Sequence, residues 1–311
     1  MRRIEKVAII GLGALGVVYG QKFTERLGRE NVFFVADRDR IRRYEKDGVF
    51  CNDVKCDFRY VDKDDCGAEK ADLVVFAVKY TALEEAIDSV KHVVGDHTLI
   101  ISVLNGIVSE RDIAAVYGGE KVLYCIAQAT DAMKEGNRFY YQNEGVLQVG
   151  TGTGERDERL KAVTDLFDRT KIPYLVPEDI MHQLWNKLML NVGVNQVVAV
   201  FETNYGGIQH PGKERELMKE AMREVRDVAA FEGVTLTEEE ITQWLNVLDA
   251  LAPESMPSLR QDTKAHRKTE VELFSGTIRR LGRQYGVPTP VNDFLYQRIR
   301  EIESEYDRAG C

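Results

Sequence analysis

A chain of 311 residues, 44% apolar and 30% charged, is long enough for two domains and apolar enough for a sizeable core. Its formal net charge of −9, with no long basic run, argues against nucleic acid or an anionic membrane surface as a partner. A small anionic substrate stays open, because net charge does not describe the inside of a cleft.

The opening stretch, "MRRIEKVAIIGLGALG", has the basic start and apolar run of a signal peptide. However, Glu5 is acidic, the run is rich in glycine and no small-residue cleavage site follows. No stretch reaches the roughly 18 uninterrupted apolar residues of a spanning helix. A cytoplasmic protein is expected. The five cysteines, Cys51, Cys56, Cys66, Cys125 and Cys311, are odd in number and scattered, which fits free thiols in a reducing compartment better than a disulfide framework. The spacing of Cys51, Cys56 and Cys66 fits no zinc pattern and no histidine is near them in sequence, so no metal is expected.

In chain order, "KVAIIGLG" (6–13) reads as a strand and "ALGVVYGQKFTERLG" (14–28) as a helix closed by a glycine. "NVFFVAD" (31–37), "ADLVVFAVK" (71–79) and "HTLIISVLN" (97–105) read as further strands, with a helix over 81–94. Strands apolar on both faces and separated by helices predict a parallel sheet covered on both sides, an α/β fold. "KVLYCIAQAT", "RFYYQN" and "VLQVGTG" predict that antiparallel strands extend this sheet, and "KIPYLV" (171–176) reads as its last strand. From Pro177 the pattern changes to long helices over roughly 179–201, 212–232, 238–250, 265–285 and 291–308, with no convincing strand. The expected domains are 1–176, binding a dinucleotide, and 177–311, all-helical, holding substrate and, in a homodimer, the subunit contact. The short connection predicts close packing, with a cleft between the domains.

"IIGLGALG" carries Gly11, Gly13 and Gly16 in a G-x-G-x-x-G pattern after a strand and at the opening of a helix. Gly11 permits the tight turn, Gly13 lets the backbone approach a pyrophosphate, and Gly16 lets helix and strand pack closely. The helix start, Ala14 and Leu15, then stabilises phosphate charge. Asp37 ends the second strand, 21 residues after Gly16, where a carboxylate accepts hydrogen bonds from an adenosine ribose. Arg38 follows directly and would instead meet a 2′-phosphate. Lys79 and Asn105 end two other strands, and in a parallel sheet such ends face the ligand crevice.

In "LWNKLMLNVGVNQVVAVF" (184–201), Lys187, Asn191 and Asn195 recur every four residues and line one stripe of an apolar helix. Burying them without partners would cost roughly 2–7 kcal/mol per group, so the stripe faces water, another polar element or a ligand. Glu270 is a second candidate, expected in a helix with Val271, Leu273 and Phe274 nearby.

The segments "GLGALG", "VKYTAL", "LNG", "LWNKLMLNVGVN", "SLRQD…KTEVELFSG" and "GVPTPVNDFLYQRIREIESEY" resemble, in order and spacing, the ketopantoate reductases over nearly the whole chain. The glycine loop is common to many dehydrogenases, whereas the Lys-x-x-x-Asn-x-x-x-Asn helix and the Thr-Glu segment are far more specific. The resemblance implies a Rossmann-type domain followed by an all-helical one, with the active site between them. It implies reduction of 2-dehydropantoate to (R)-pantoate by NADPH, on the route to pantothenate and coenzyme A. The family's general acid falls on Lys187 and its carboxylate near nicotinamide and substrate on Glu270. Its substrate contacts fall on Asn191, Asn195 and Ser258, and the wall on the cofactor side on Lys79 and Asn105, the latter also meeting substrate. An ordinary lysine, with a pKa near ~10.4, is protonated at neutral pH and ready to act as an acid. Two departures stand out. Gln196 replaces a frequent proline, and Asp37 occupies the place of an arginine for the 2′-phosphate, with Arg38 one residue on. NADPH is therefore expected, with NADH the alternative that Asp37 favours. A reductase of another 2-keto or 3-hydroxy acid and a non-catalytic dinucleotide sensor are the competing functions.

Overall fold

Three four-residue runs, VAII, LVVF and LIIS, buried at every position, build the centre of the first half. The computed structural model describes residues 3–309. In chain order the first half contains β1 (Val7–Ile10), α1 (Ala14–Leu27), β2 (Val32–Ala36), α2 (Arg38–Asp47), β3 (Phe50–Cys51), β4 (Val54–Lys55), β5 (Arg59–Asp62) and β6 (Leu73–Phe76). There follow α3 (Leu83–Ser89), β7 (Leu99–Ser102), α4 (Ser109–Tyr117), β8 (Val122–Gln128), β9 (Met133–Glu135), β10 (Arg138–Tyr140), β11 (Val146–Gly150), α5 (Glu158–Thr170) and β12 (Tyr174–Leu175).

Eight of these strands form one sheet in the order β12-β11-β8-β7-β6-β1-β2-β5. The six from β8 to β5 are mutually parallel, β11 runs antiparallel to β8, and β12 is parallel to β11. Alternate residues of β1 face opposite layers. Val7 and Ile9 pack with Val17, Phe23 and Leu166 of α1 and α5, while Ala8 and Ile10 pack with Leu83, Ile87 and Ile113 of α3 and α4. Burial on both faces explains why these strands read as continuous apolar runs.

Several expectations are corrected here. "RFYYQN" does not extend the main sheet. β10 joins a separate four-stranded sheet, β4-β3-β10-β9, parallel to β3 and antiparallel to β9. There Phe139 turns into the core layer that also holds Cys51 and Cys56, and Asn137 donates to the carbonyls of Asp47 and Gly48. The partner strand lies almost ninety residues earlier, beyond any local pattern. β5 is an edge strand paired on one side only, so its "RYVD" is too polar to be read as part of a covered sheet. Helices α2, α4 and α5 have no counterpart among the spans expected from sequence.

The chain divides into two compact units, one ending at Ile180 and the next starting at Met181. The division falls in the first turn of α6 (Ile180–Val200). The second unit continues with α7 (Gly206–Gln209), α8 (Lys213–Phe231), α9 (Glu238–Asp249), α10 (Ser258–Lys264), α11 (Thr277–Tyr285) and α12 (Pro290–Ala309). The single helix expected over 265–285 does not exist. α10 stops at Lys264, His266 takes a left-handed φ of 51°, and a π turn over Glu272–Gly276 leads into α11. Glu270 therefore lies in a bend before the π turn, not within a helix.

Helix α6 meets α8 at Gly193, where a β-carbon would lie 2.7 Å from Met222 Cγ and 3.0 Å from the Met218 carbonyl oxygen. Gly193 is two residues from Asn191, about 200° around an α-helix, so α8 covers the side opposite the polar stripe. Among the described residues no helix is long and apolar enough to cross a membrane. Cys51, Cys56, Cys66 and Cys125 are unbridged, and Cys311 lies outside the described residues. No group of three or more His, Cys, Asp or Glu among the described residues is placed to hold a metal ion.

Candidate functional site

The glycine loop separates into positions with different physical reasons. Gly11 has φ +107°, and a β-carbon there would lie 2.5 Å from the Ala77 carbonyl oxygen. At Gly16 a β-carbon would lie 2.0 Å from the carbonyl oxygen of Gly11, so α1 rests directly on the turn. Gly13 is different. Its backbone is extended at φ −92° and ψ −175°, and the one neighbour of an added β-carbon is Ala77 O, at an ordinary 3.4 Å. The protein's own packing accounts for Gly11 and Gly16 but not for Gly13. An absent side chain at the start of α1, with no capping side chain and no acidic residue in the first turn, leaves the amides of Ala14 and Leu15 as donors for an anion. These residues fit a dinucleotide pyrophosphate.

The sheet gathers the other candidates of the first unit along the same edge. β1 lies between β2 and β6, with Ile10 level with Val35 and Phe76, and β7 follows with Ser102 beside Phe76. The C-terminal ends of these strands carry Asp37, the glycine loop, Lys79 and Asn105. The chain order reverses between β1 and β6, which is where ligands bind in open α/β sheets. Lys79 is exposed and precedes a 3-10 turn over Tyr80–Ala82. Asn105 is half-buried, in a loop tied at its base by Ser102 Oγ and Ser109 Oγ at 2.8 Å. Ser109 Oγ also donates to Glu110 Oε2 at 2.8 Å, and burial pushes the Glu110 carboxyl up to about 7.

Asp37 caps α2. Its Oδ1 accepts from the Arg40 amide at 2.8 Å, which holds the carboxyl below the usual carboxylate range. Arg38 pairs through Nε with Asp62 Oδ2, at the end of the neighbouring strand β5. Asp62 Oδ1 accepts from the Asp64 amide, and this bond, followed by the Arg38 pair, keeps the Asp62 carboxyl low. Sequence reasoning missed Asp62, because nothing local shows that "RYVD" pairs with β2.

In the second unit, Lys187 and Asn191 are half-buried and Asn195 is 7% exposed, so the stripe deepens along α6. The helix is fixed on both sides of Lys187. Towards its start, Glu240 Oε1 meets His182 Nε2 at 2.6 Å and Asn186 Nδ2 at 3.1 Å, and Trp244 Nε1 donates to Asn186 Oδ1 at 2.5 Å, which ties α6 to α9. Towards its end, the fully buried Gln196 accepts from the Ser275 amide at 3.3 Å, joining α6 to the π turn. Ser275 Oγ donates to Asn292 Oδ1, and Asn292 in turn donates to Glu224. A proline at 196 could not make this bond. Ser258 is the exposed first residue of α10, and Arg260 Nη2 of that helix donates to the Glu202 carbonyl just beyond α6.

Glu270 is half-buried and is anchored through its neighbour. Glu303, 2% exposed, accepts from both the amide and the hydroxyl of Thr269 at 2.7 Å. Glu303→Ala is expected to destabilise the protein by on the order of 1–3 kcal/mol, because it leaves a buried amide without an acceptor. Glu303→Gln keeps an acceptor oxygen and should cost less. Urea midpoints of the two variants check this, and an alanine variant as stable as wild type would remove Glu303 from the support of Glu270.

This strand order, with a glycine turn opening α1 and an all-helical second unit, defines a Rossmann-type dinucleotide-binding protein with a helical C-terminal unit. "Ketopantoate reductase PanE/ApbA" matches residues 7–154, and "Ketopantoate reductase PanE/ApbA C terminal" matches 179–303. The chain belongs to the ketopantoate reductase family. It is 29% identical over 306 residues to a 2-dehydropantoate 2-reductase of Aquifex aeolicus, covering 96% of this chain and 97% of that one. The solved structure of a PanE/ApbA family ketopantoate reductase from Ralstonia eutropha JMP134 superposes with a TM-score of 0.83 at 24% identity, covering 97% and 99% of the two chains. A D-mandelate dehydrogenase solved with NADH and anilino(oxo)acetate superposes with a TM-score of 0.87 at 22% identity and the same coverage.

Proposed function

We propose that the protein reduces the ketone of 2-dehydropantoate to (R)-pantoate, with NADPH as the main reductant and NADH also accepted. The observation that carries this reading is a glycine at position 13 that the protein's own packing does not require, in a chain of this family that also bears the Lys187 stripe. The bound nicotinamide would supply the hydride. Gly13 and the amides of Ala14 and Leu15 meet the pyrophosphate on the turn that Gly11 and Gly16 permit, and Asp37 and Arg38 meet the adenosine ribose and its substituent. Lys79 and Asn105 contact the cofactor from the adjoining strand ends, and Asn105 also contacts substrate.

Lys187 protonates the ketone oxygen as negative charge develops on it, a task suited to a cation in a dry site. Asn191, Asn195 and Ser258 hold the hydroxyl and carboxylate of the substrate. Glu270 keeps Lys187 placed and contacts substrate and nicotinamide.

The test is absorbance of reduced nicotinamide with NADPH or NADH and a panel of 2-keto acids. Turnover of 2-dehydropantoate at a kcat/KM at least tenfold above the other acids supports the reading. A preference for another acid would assign the same chemistry to a different substrate, and no turnover with any would leave a nucleotide sensor.

A further inference from the structure

The adenosine end of the proposed cofactor site is crowded with paired charges. Arg38 is bound to Asp62. Arg40 Nε is 3.3 Å from Asp37 Oδ2, and its Nη1 is 3.9 Å from Glu85 Oε1. Lys63 Nζ is 3.6 Å from the same Glu85 oxygen. Three cations thus face three carboxylates across the ends of β2 and β5 and the start of α3. A 2′-phosphate would have to compete for each cation, whereas an unphosphorylated ribose would not.

We propose that Asp62 is a specificity-determining residue that holds Arg38 away from a 2′-phosphate and so narrows the preference for NADPH over NADH. This rests on the dinucleotide reading above. The two partners are unequal in freedom. The side chain of Arg38 is 80% exposed, with open space on the side away from Asp62, whereas that of Asp62 is 17% exposed. Asp62 is fixed from two directions. It lies level with Ala36 in the strand register, and its Oδ1 accepts from the Asp64 amide at 3.1 Å. It is therefore a stationary acceptor, placed one strand over from the turn that begins at Asp37. Arg38 gives its Nε to Asp62 Oδ2, and arginine binds carboxylate and phosphate with the same fork of donors, so this bond turns the guanidinium towards β5 and must be released before the Nε edge serves the phosphate. Because the Arg38 side of the pair is largely solvated, the effect should be modest.

The experiment is a titration of the full-length protein with NADH and NADPH, followed by nicotinamide fluorescence. Wild type is compared with Asp62→Asn, Arg38→Ala and the double variant. Asparagine keeps the oxygen that accepts from Asp64, so the turn survives the change, and NADH affinity reports on that directly. Asp62→Asn is expected to tighten NADPH about three- to fivefold, the weight of an exposed ion pair, while NADH stays within about twofold. In the Arg38→Ala background the same change should leave NADPH within about twofold. An unmoved ratio, weaker NADPH binding, or an equal gain without Arg38 would overturn the proposal while leaving the cofactor reading intact. Failure of wild type to bind either nucleotide would overturn both.

Discussion

Lys187→Ala should lower kcat by roughly 10²–10⁴-fold, the usual contribution of a positioned general acid. Nucleotide affinity and the unfolding midpoint should stay near wild type. The separation follows from position. Lys187 is half-buried on the polar side of α6, while Trp185, Leu188, Met189 and Val192, each at most 1% exposed, carry the helix packing. The ties to α9 through Asn186 and to the π turn through Gln196 do not involve the lysine. If Lys187 acts only in the transition state, kcat and kcat/KM fall together; if it only binds substrate, KM rises and kcat stays. Lys187→Arg should not rescue, because a guanidinium is far less acidic than an ammonium. Steady-state kinetics on both variants decide the matter. A kcat within threefold of wild type for the alanine variant would remove Lys187 from the chemistry.

The second large effect separates two glycines of one motif. Gly16→Ala should destabilise the first unit by about 3 kcal/mol, the upper end of overpacking, because the new β-carbon meets backbone that cannot rotate away. In a unit of this size that is roughly 6–12 °C in Tm. Gly13→Ala should leave Tm within about 2 °C, since its φ suits any residue and its nearest neighbour stands at 3.4 Å. It should nevertheless weaken nucleotide binding by about fivefold or more, as a methyl group forced into a filled contact costs ~1–3 kcal/mol. Thermal melts and fluorescence titration of the two variants provide the contrast. Unchanged nucleotide affinity in Gly13→Ala would mean that no ligand approaches the loop closely.

The α/β class, the parallel centre of the sheet and the helical second half were legible in the sequence because each rests on local pattern. A strand covered on both faces must be apolar throughout, as in "LVVF", and a long helix must repeat its polar side every three to four residues, as from Lys187 to Asn195. The glycine turn was legible for the same reason, since its conformational demands fall within six residues. Tertiary structure alone decided the rest. Pairing of β10 with β3 and of β5 with β2 joins segments far apart in the chain, and no period within either strand names its partner. The helix expected over 265–285 gave way where His266 turns left-handed and the Arg267 amide returns to the Asp262 carbonyl, and the Thr269 amide beyond it finds its acceptor on Glu303, 34 residues later, in place of a helical carbonyl. Asp62 reached Arg38 in the same way, across a strand pairing that fixed backbone hydrogen bonds impose and that side-chain pattern does not record.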